Sequence, residues 1–224
     1  MGYYWGYYLA FILASVLFQH PILLVGVVAF FLLRRFIPDP VVLFRTFGRI
    51  QALRRQIDAN PANVTARRDL ATVYLQRLRP GSALTLLDEA RKRFPDDPEL
   101  LYLTGLAHSK RGEHDKALGP LVRAVEIDPK VRFGEPFLVA GDALSALGRS
   151  DEAVDAYERF VSSNSSSIQG HLKLAMALEK TKETEGAQKS LDEAFSTWRQ
   201  LPGFQRRKQV GWWLRAWARR LTGL

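Results

Sequence analysis

Three patterns of apolar and polar positions follow one another along the chain. Residues 1–33 are almost continuously apolar and hold no Lys, Arg, Asp or Glu. Val41–Asp58 then spaces Leu43, Phe47, Ile50, Leu53 and Ile57 as one face of a helix, with arginines on the other. The third pattern is a repeat. Ala83, Ala117, Ala153 and Ala187 stand 34, 36 and 34 residues apart, and Ala71, Gly105, Gly141 and Ala175 take the same steps. A third series runs Ala90, Ala124, Phe160, Ala194, while Pro61, Pro95 and Pro129 are each 34 apart. Large residues (Leu87, Leu121, Tyr157, Leu191) follow four positions after the first series. Two antiparallel helices that cross closely need small residues where their backbones meet, and proline ends the second helix of a pair. One such pair cannot bury its apolar face alone, so stacked pairs must share a core. The two additional residues of the middle step fall around Lys130–Pro136 and read as a loop insertion. Last, Phe204–Leu221 puts Val210, Trp213, Leu214, Trp217 and Leu221 on one helical face, with Lys208, Arg215 and Arg219 opposite.

The first pattern predicts a membrane anchor over 1–36. No charged n-region or A-x-A-like site marks it as a cleavable leader. Tyr3, Tyr4, Trp5, Tyr7 and Tyr8 suit one headgroup interface, and Arg34 and Arg35 the other. Residues 3–33 as a single helix would run roughly 46 Å, against a hydrocarbon core of ~30 Å. Gln19-His20-Pro21 interrupts them, because proline breaks a helical hydrogen bond and Gln and His are costly at the bilayer centre. Two arrangements fit: a hairpin of helices 3–18 and 21–36, or one kinked span over 9–33. Both leave Arg34 onward on one side, which the positive-inside bias makes the cytoplasmic side of a bacterial inner membrane.

Charge sharpens the outline. The chain carries 32 Lys+Arg against 23 Asp+Glu, a formal net charge of +9. The excess sits at the two ends: six arginines between Arg34 and Asn60, and seven basic residues with no acidic one from Arg199 to Leu224. Basic ends on a neutral middle suit anionic headgroups, at ~1 kcal/mol per surface-proximal cation. Nucleic acid is not an expected partner, since the basic segments flank an apolar stretch and form no base-reading motif. With no cysteine, disulfides, thiolate metal sites and a cysteine nucleophile are excluded.

The repeat pattern, clearest in TGLAHSKRGEHDKALGPLVRAVEIDP and AGDALSALGRSDEAVDAYERF, resembles the tetratricopeptide repeat (TPR) family over 61–199. The resemblance implies an all-α solenoid of about four helical pairs. It would follow the transmembrane helix or hairpin (1–36) and a basic connector helix (37–60), and end in a basic, Trp-rich amphipathic helix (200–224). It further implies a concave groove, lined by the first helix of each pair, that holds a protein partner. Carried onto this chain, the groove residues are Arg68, Thr72, Gln76, Tyr102, Leu106, Ser109, Leu138, Asp142, Ser145, Leu172, Met176 and Glu179. The family's carboxylate-gripping subclass does not fit. Arg68 could stand for one of its cations, but Thr72, Leu103, Glu135 and Val139 occupy the other places.

No catalytic set emerges. His20 belongs to the interruption of the apolar stretch, His108 takes a position where the family carries an aromatic, His114 sits in a turn, and His171 opens the fourth pair. None has a metal-binding neighbour at helical spacing, and no Gly-rich phosphate loop occurs. No cofactor is expected. The terminal helix is either the cap that a solenoid requires or a lipid-surface helix. In the lipid reading Trp213, Trp217, Arg215 and Arg219 join Trp5, Tyr8, Arg34 and Arg35 as membrane contacts. The expectation is a membrane-anchored scaffold that recruits a partner at the cytoplasmic face. The alternative is an accessory or assembly subunit of a larger membrane complex.

Overall fold

The computed structural model describes residues 40–222, and every regular element among them is helical. Pro40–Ala59 is α1. Four hairpins follow: Val64–Gln76 (α2) with Pro80–Arg91 (α3), Pro98–Lys110 (α4) with His114–Ile127 (α5), Glu135–Ala146 (α6) with Ser150–Ser163 (α7), and Ile168–Lys180 (α8) with Thr184–Gln200 (α9). Gly203–Leu221 is α10. The expected anchor, with Trp5, Tyr8, Arg34 and Arg35, lies outside the described residues. Among those described, no helix is long and apolar enough to cross a membrane.

The same local chemistry starts and turns each hairpin. Asn63, Asp97 and Ser167 precede α2, α4 and α8, and the side chain of each accepts a backbone N–H three residues on. That satisfies a donor which the first helical turn leaves orphaned. In the third hairpin the corresponding position is Phe133, which cannot cap. There a 3₁₀ turn, Val131–Gly134, replaces the cap, and Arg132, Phe133 and Gly134 all adopt positive φ. This turn is the inserted loop anticipated around Lys130–Pro136. Within the hairpins, the bend between first and second helix has positive φ at Leu78, Gly112, Gly148 and Lys182. Two of those four bends use glycine, the residue that enters this region without cost.

Small and large residues interlock as the periodicity implies. A Cβ on Gly105 would lie 2.5 Å from Leu121 Cγ, and one on Gly141 would lie 2.6 Å from the Tyr157 ring. Phe160, which breaks the small-residue series, is accommodated by Gly170 of the next hairpin, whose added Cβ would meet the phenyl ring at 2.8 Å. The bulky residue is therefore matched by a deletion across the interface.

The helices form two layers. α2 approaches α4, α4 approaches α6 and α8 approaches α10, while the second helices α3, α5, α7 and α9 pack on first helices and not on each other. The first helices thus form the crowded inner layer and the second helices splay outward. α6 and α8 stand apart within the inner layer.

Both terminal helices correct the expected faces. In α1 the inward residues are Thr46, Ile50 and Leu53, with Ile57 partly buried, whereas Phe47, expected on that face, is 63% exposed. In α10 the expected face is turned outward except at Trp213. Ala216 is buried and Trp212 and Trp213 are half-buried, while Val210, Leu214, Trp217 and Leu221 are exposed. The helix has two apolar stripes, and packing selects the one whose small Ala216 lets the backbone approach α8 and α9.

Candidate functional site

The inner layer presents the first helices side by side, and polar side chains tie each to the next. Arg68 Nη1 of α2 donates to Glu99 Oε2 of α4 at 3.0 Å. Tyr102 Oη of α4 donates to Glu135 Oε2 of α6 at 2.7 Å. Lys173 Nζ of α8 reaches both carboxylate oxygens of Asp142 on α6 at 2.5 Å, and Lys180 Nζ donates to Ser145 Oγ at 3.0 Å. Arg219 of α10 forms a forked pair with Glu179 of α8. Each exposed pair is worth only ~0–1 kcal/mol, but the ladder fixes how successive hairpins are oriented.

Of the twelve residues assigned to the groove, Arg68, Thr72, Gln76, Leu106, Ser109, Leu138, Asp142, Ser145, Met176 and Glu179 retain solvent-accessible surface on this layer. Tyr102 and Leu172 do not. The Tyr102 ring is buried beneath the next hairpin, with the Arg132 guanidinium 5.5 Å from its centroid. Burial, reinforced by the Glu135 carboxylate, raises its hydroxyl above the ordinary phenol range, so it remains a proton donor. Leu172 is covered by Trp212 and Ala216 of α10. Several accessible members are already engaged: Arg68 by Glu99, Asp142 by Lys173 and the Tyr157 hydroxyl at 2.8 Å, and Glu179 by Arg219.

Where α6 and α8 diverge, the layer opens into a cleft of about 770 Å³. Asp142, Ser145, Leu172 and Met176, four of the expected groove residues, line it together with Lys173, Lys180, Trp212 and Arg215. Two cations address the Trp212 ring, Arg215 at 4.4 Å and Lys173 at 5.7 Å from its centroid. Asp142 neutralises Lys173 and Glu179 neutralises Arg219, whereas no described carboxylate pairs with Lys180 or Arg215. The cleft is an apolar floor with a net positive rim. Trp212 carried a usable signal, since a tryptophan on the polar side of an amphipathic helix needs a partner.

Of the residues expected to contact a membrane, Trp213 is half-buried against α9, where its ring stacks on Trp198 at 5.0 Å, and Arg219 belongs to the ladder. Trp217 and Arg215 are exposed. Two histidines serve structure: His108 Nδ1 lies 2.6 Å from Glu113 Oε2 across the Gly112 bend, and buried His171 contacts the Ser165 carbonyl through Nε2 at 3.0 Å. No cluster of three potential metal ligands occurs among the described residues.

Stacked antiparallel hairpins with an inner groove define a helical-repeat interaction scaffold. The chain belongs to the tetratricopeptide repeat family, whose model matches residues 68–131 and 138–199. One curated relative is the small glutamine-rich tetratricopeptide repeat-containing protein 2 of Mycosarcoma maydis, 36% identical over 81 residues, which are 36% of this chain and 22% of that protein. The chain thus matches about a fifth of that relative's length. Among solved structures, a MamA crystal structure aligns with a TM-score of 0.61 and 23% identity, covering 66% of this chain and 85% of that one. A second MamA structure gives 0.61 and 21% identity, with 76% and 93% covered. At these identities the likeness concerns the fold.

Proposed function

We propose that this protein is a membrane-tethered, non-enzymatic adaptor that holds an apolar, acidic segment of a partner protein in the cleft between α6, α8 and α10. The carrying observation is the cleft: Met176 and Trp212 offer apolar surface, and Lys180 and Arg215 supply positive charge without a carboxylate partner among the described residues. Apolar anchors in a groove give affinity, and complementary charge at the rim selects the partner. Tethering rests on the charge-free stretch of residues 1–33, and the cytoplasmic side of a bacterial inner membrane on the arginines that follow it.

Photo-crosslinking in cells tests the cleft. A benzophenone amino acid at Met176 should give discrete protein adducts that the Lys180→Glu/Arg215→Glu variant abolishes. The same label at exposed Glu158 on α7 should not give them. Identical adducts from both positions, or adducts that survive charge reversal, would refute the assignment. Purification in mild detergent decides between adaptor and permanent subunit. Exchangeable partners support the adaptor, and a fixed stoichiometric complex supports the subunit.

A further inference from the structure

The inner side of α10 completes the solenoid, but its outer side is not what a cap requires. Capping elements face water with polar residues. Here Val210, Leu214, Trp217 and Leu221 remain 44, 51, 49 and 67% exposed. Their spacing of four, three and four residues makes one continuous stripe. The residues needed for packing, Trp212, Trp213 and Ala216, lie on the other side and are already covered by α8 and α9. The stripe therefore has no role in holding the helix to the repeats.

The charges around it indicate its occupant. α10 carries six cations and no acidic residue. On a helical projection Arg206 and Arg207 flank the stripe on its two edges, Arg220 lies just beyond Arg206, and Lys208, Arg215 and Arg219 lie on the opposite side. Arg220 reaches back to Asp192, whereas Arg207 and Lys208 are exposed and form no ion pair with a described residue. An apolar stripe with a tryptophan, bordered by cations, matches the layering of a bilayer surface, where acyl chains lie below anionic headgroups. We infer that the outer face of α10 docks on an anionic lipid surface, with Leu214, Trp217 and Leu221 entering the headgroup boundary and Arg207 on a phosphate. This contact is separate from the N-terminal tether and from the partner cleft.

The chain's lack of cysteine permits a direct test on the full-length protein. An environment-sensitive fluorophore on Leu214→Cys is compared with one on Ser109→Cys of α4 in proteoliposomes. The lipid is phosphatidylcholine alone or a mixture containing phosphatidylglycerol, each with lipid-attached quenchers. The inference predicts that the label at 214 shifts to shorter wavelength and is quenched only when phosphatidylglycerol is present. Raising salt or introducing Arg207→Glu should lower that quenching about fivefold, while the label at 109 stays unquenched. A label at 214 that remains water-exposed on anionic vesicles overturns the inference. So does one shielded from water yet untouched by lipid quencher, which would show that protein covers the stripe: residues 1–33 if concentration has no effect, a second copy if it does. Because the reporter reads α10 alone, failure of the cleft or of the tether would leave this result interpretable.

Discussion

α4 and α10 occupy equivalent places, each following a completed hairpin and packing on both of its helices. They end up with opposite burial. In α4, Leu100, Leu101, Tyr102, Leu103, Thr104, Gly105 and Ala107 are all buried, because the third hairpin closes over the side left open by the first. In α10 only Ala216 is buried among nineteen residues, and among the described residues no further hairpin packs on its outer side. Burial in a one-dimensional array depends on neighbours as much as on the sequence of the element itself. Apolar residues without neighbours, as in α10, call for another explanation, and lipid provides one.

The contrast can be broken by mutation. Leu103→Ala in α4 should cost about 2–5 kcal/mol through lost transfer energy and a residual cavity, whereas Leu214→Ala in α10 should stay within about 0.5 kcal/mol. Denaturant midpoints at constant slope would show this, and equal losses would mean that the outer stripe is covered by protein. Next in size is a pair of glycine substitutions with opposite signs. Gly105→Ala should destabilise by about 1–3 kcal/mol, because its Cβ would collide with the Leu121 side chain. Gly211→Ala, with open space around it, should stabilise by up to about 1 kcal/mol through helix propensity. Smallest is the ladder. Arg68→Gln, which leaves Glu99 with Arg132 at 3.6 Å, should change thermal stability by under about 1 kcal/mol and less still at high salt.

Much of this was legible in the sequence because repeats repeat their errors and their corrections alike. The alignment of Gly105 and Gly141 predicted where backbones meet, and Leu121 and Tyr157 fill those places. The insertion was visible as a 36-residue step. Its conformation was not, since nothing in VRF announces left-handed backbone at Arg132 and Phe133. Facing was read least well. α1 and α10 each carry more apolar residues than one side can use, and periodicity does not say which stripe the fold will take. The groove assignment erred where a neighbour intervened: Tyr102 is covered by the third hairpin and Leu172 by α10. Lys173, Lys180 and Trp212 converge across more than thirty residues of chain, a proximity created by the packing of α10 on α8.

The basic character of the two terminal helices has one more consequence. A repeat that stacks in one direction has unlike ends, so the last hairpin of one molecule could template the first hairpin of another and continue without closure, as heterologous contacts do. α1 covers the first end with Arg45, Arg49, Arg54 and Arg55, and α10 covers the last with its own cations. Bringing those ends together would press like charges against each other. Like charge on α1 and α10 therefore opposes end-to-end stacking of two copies through these helices.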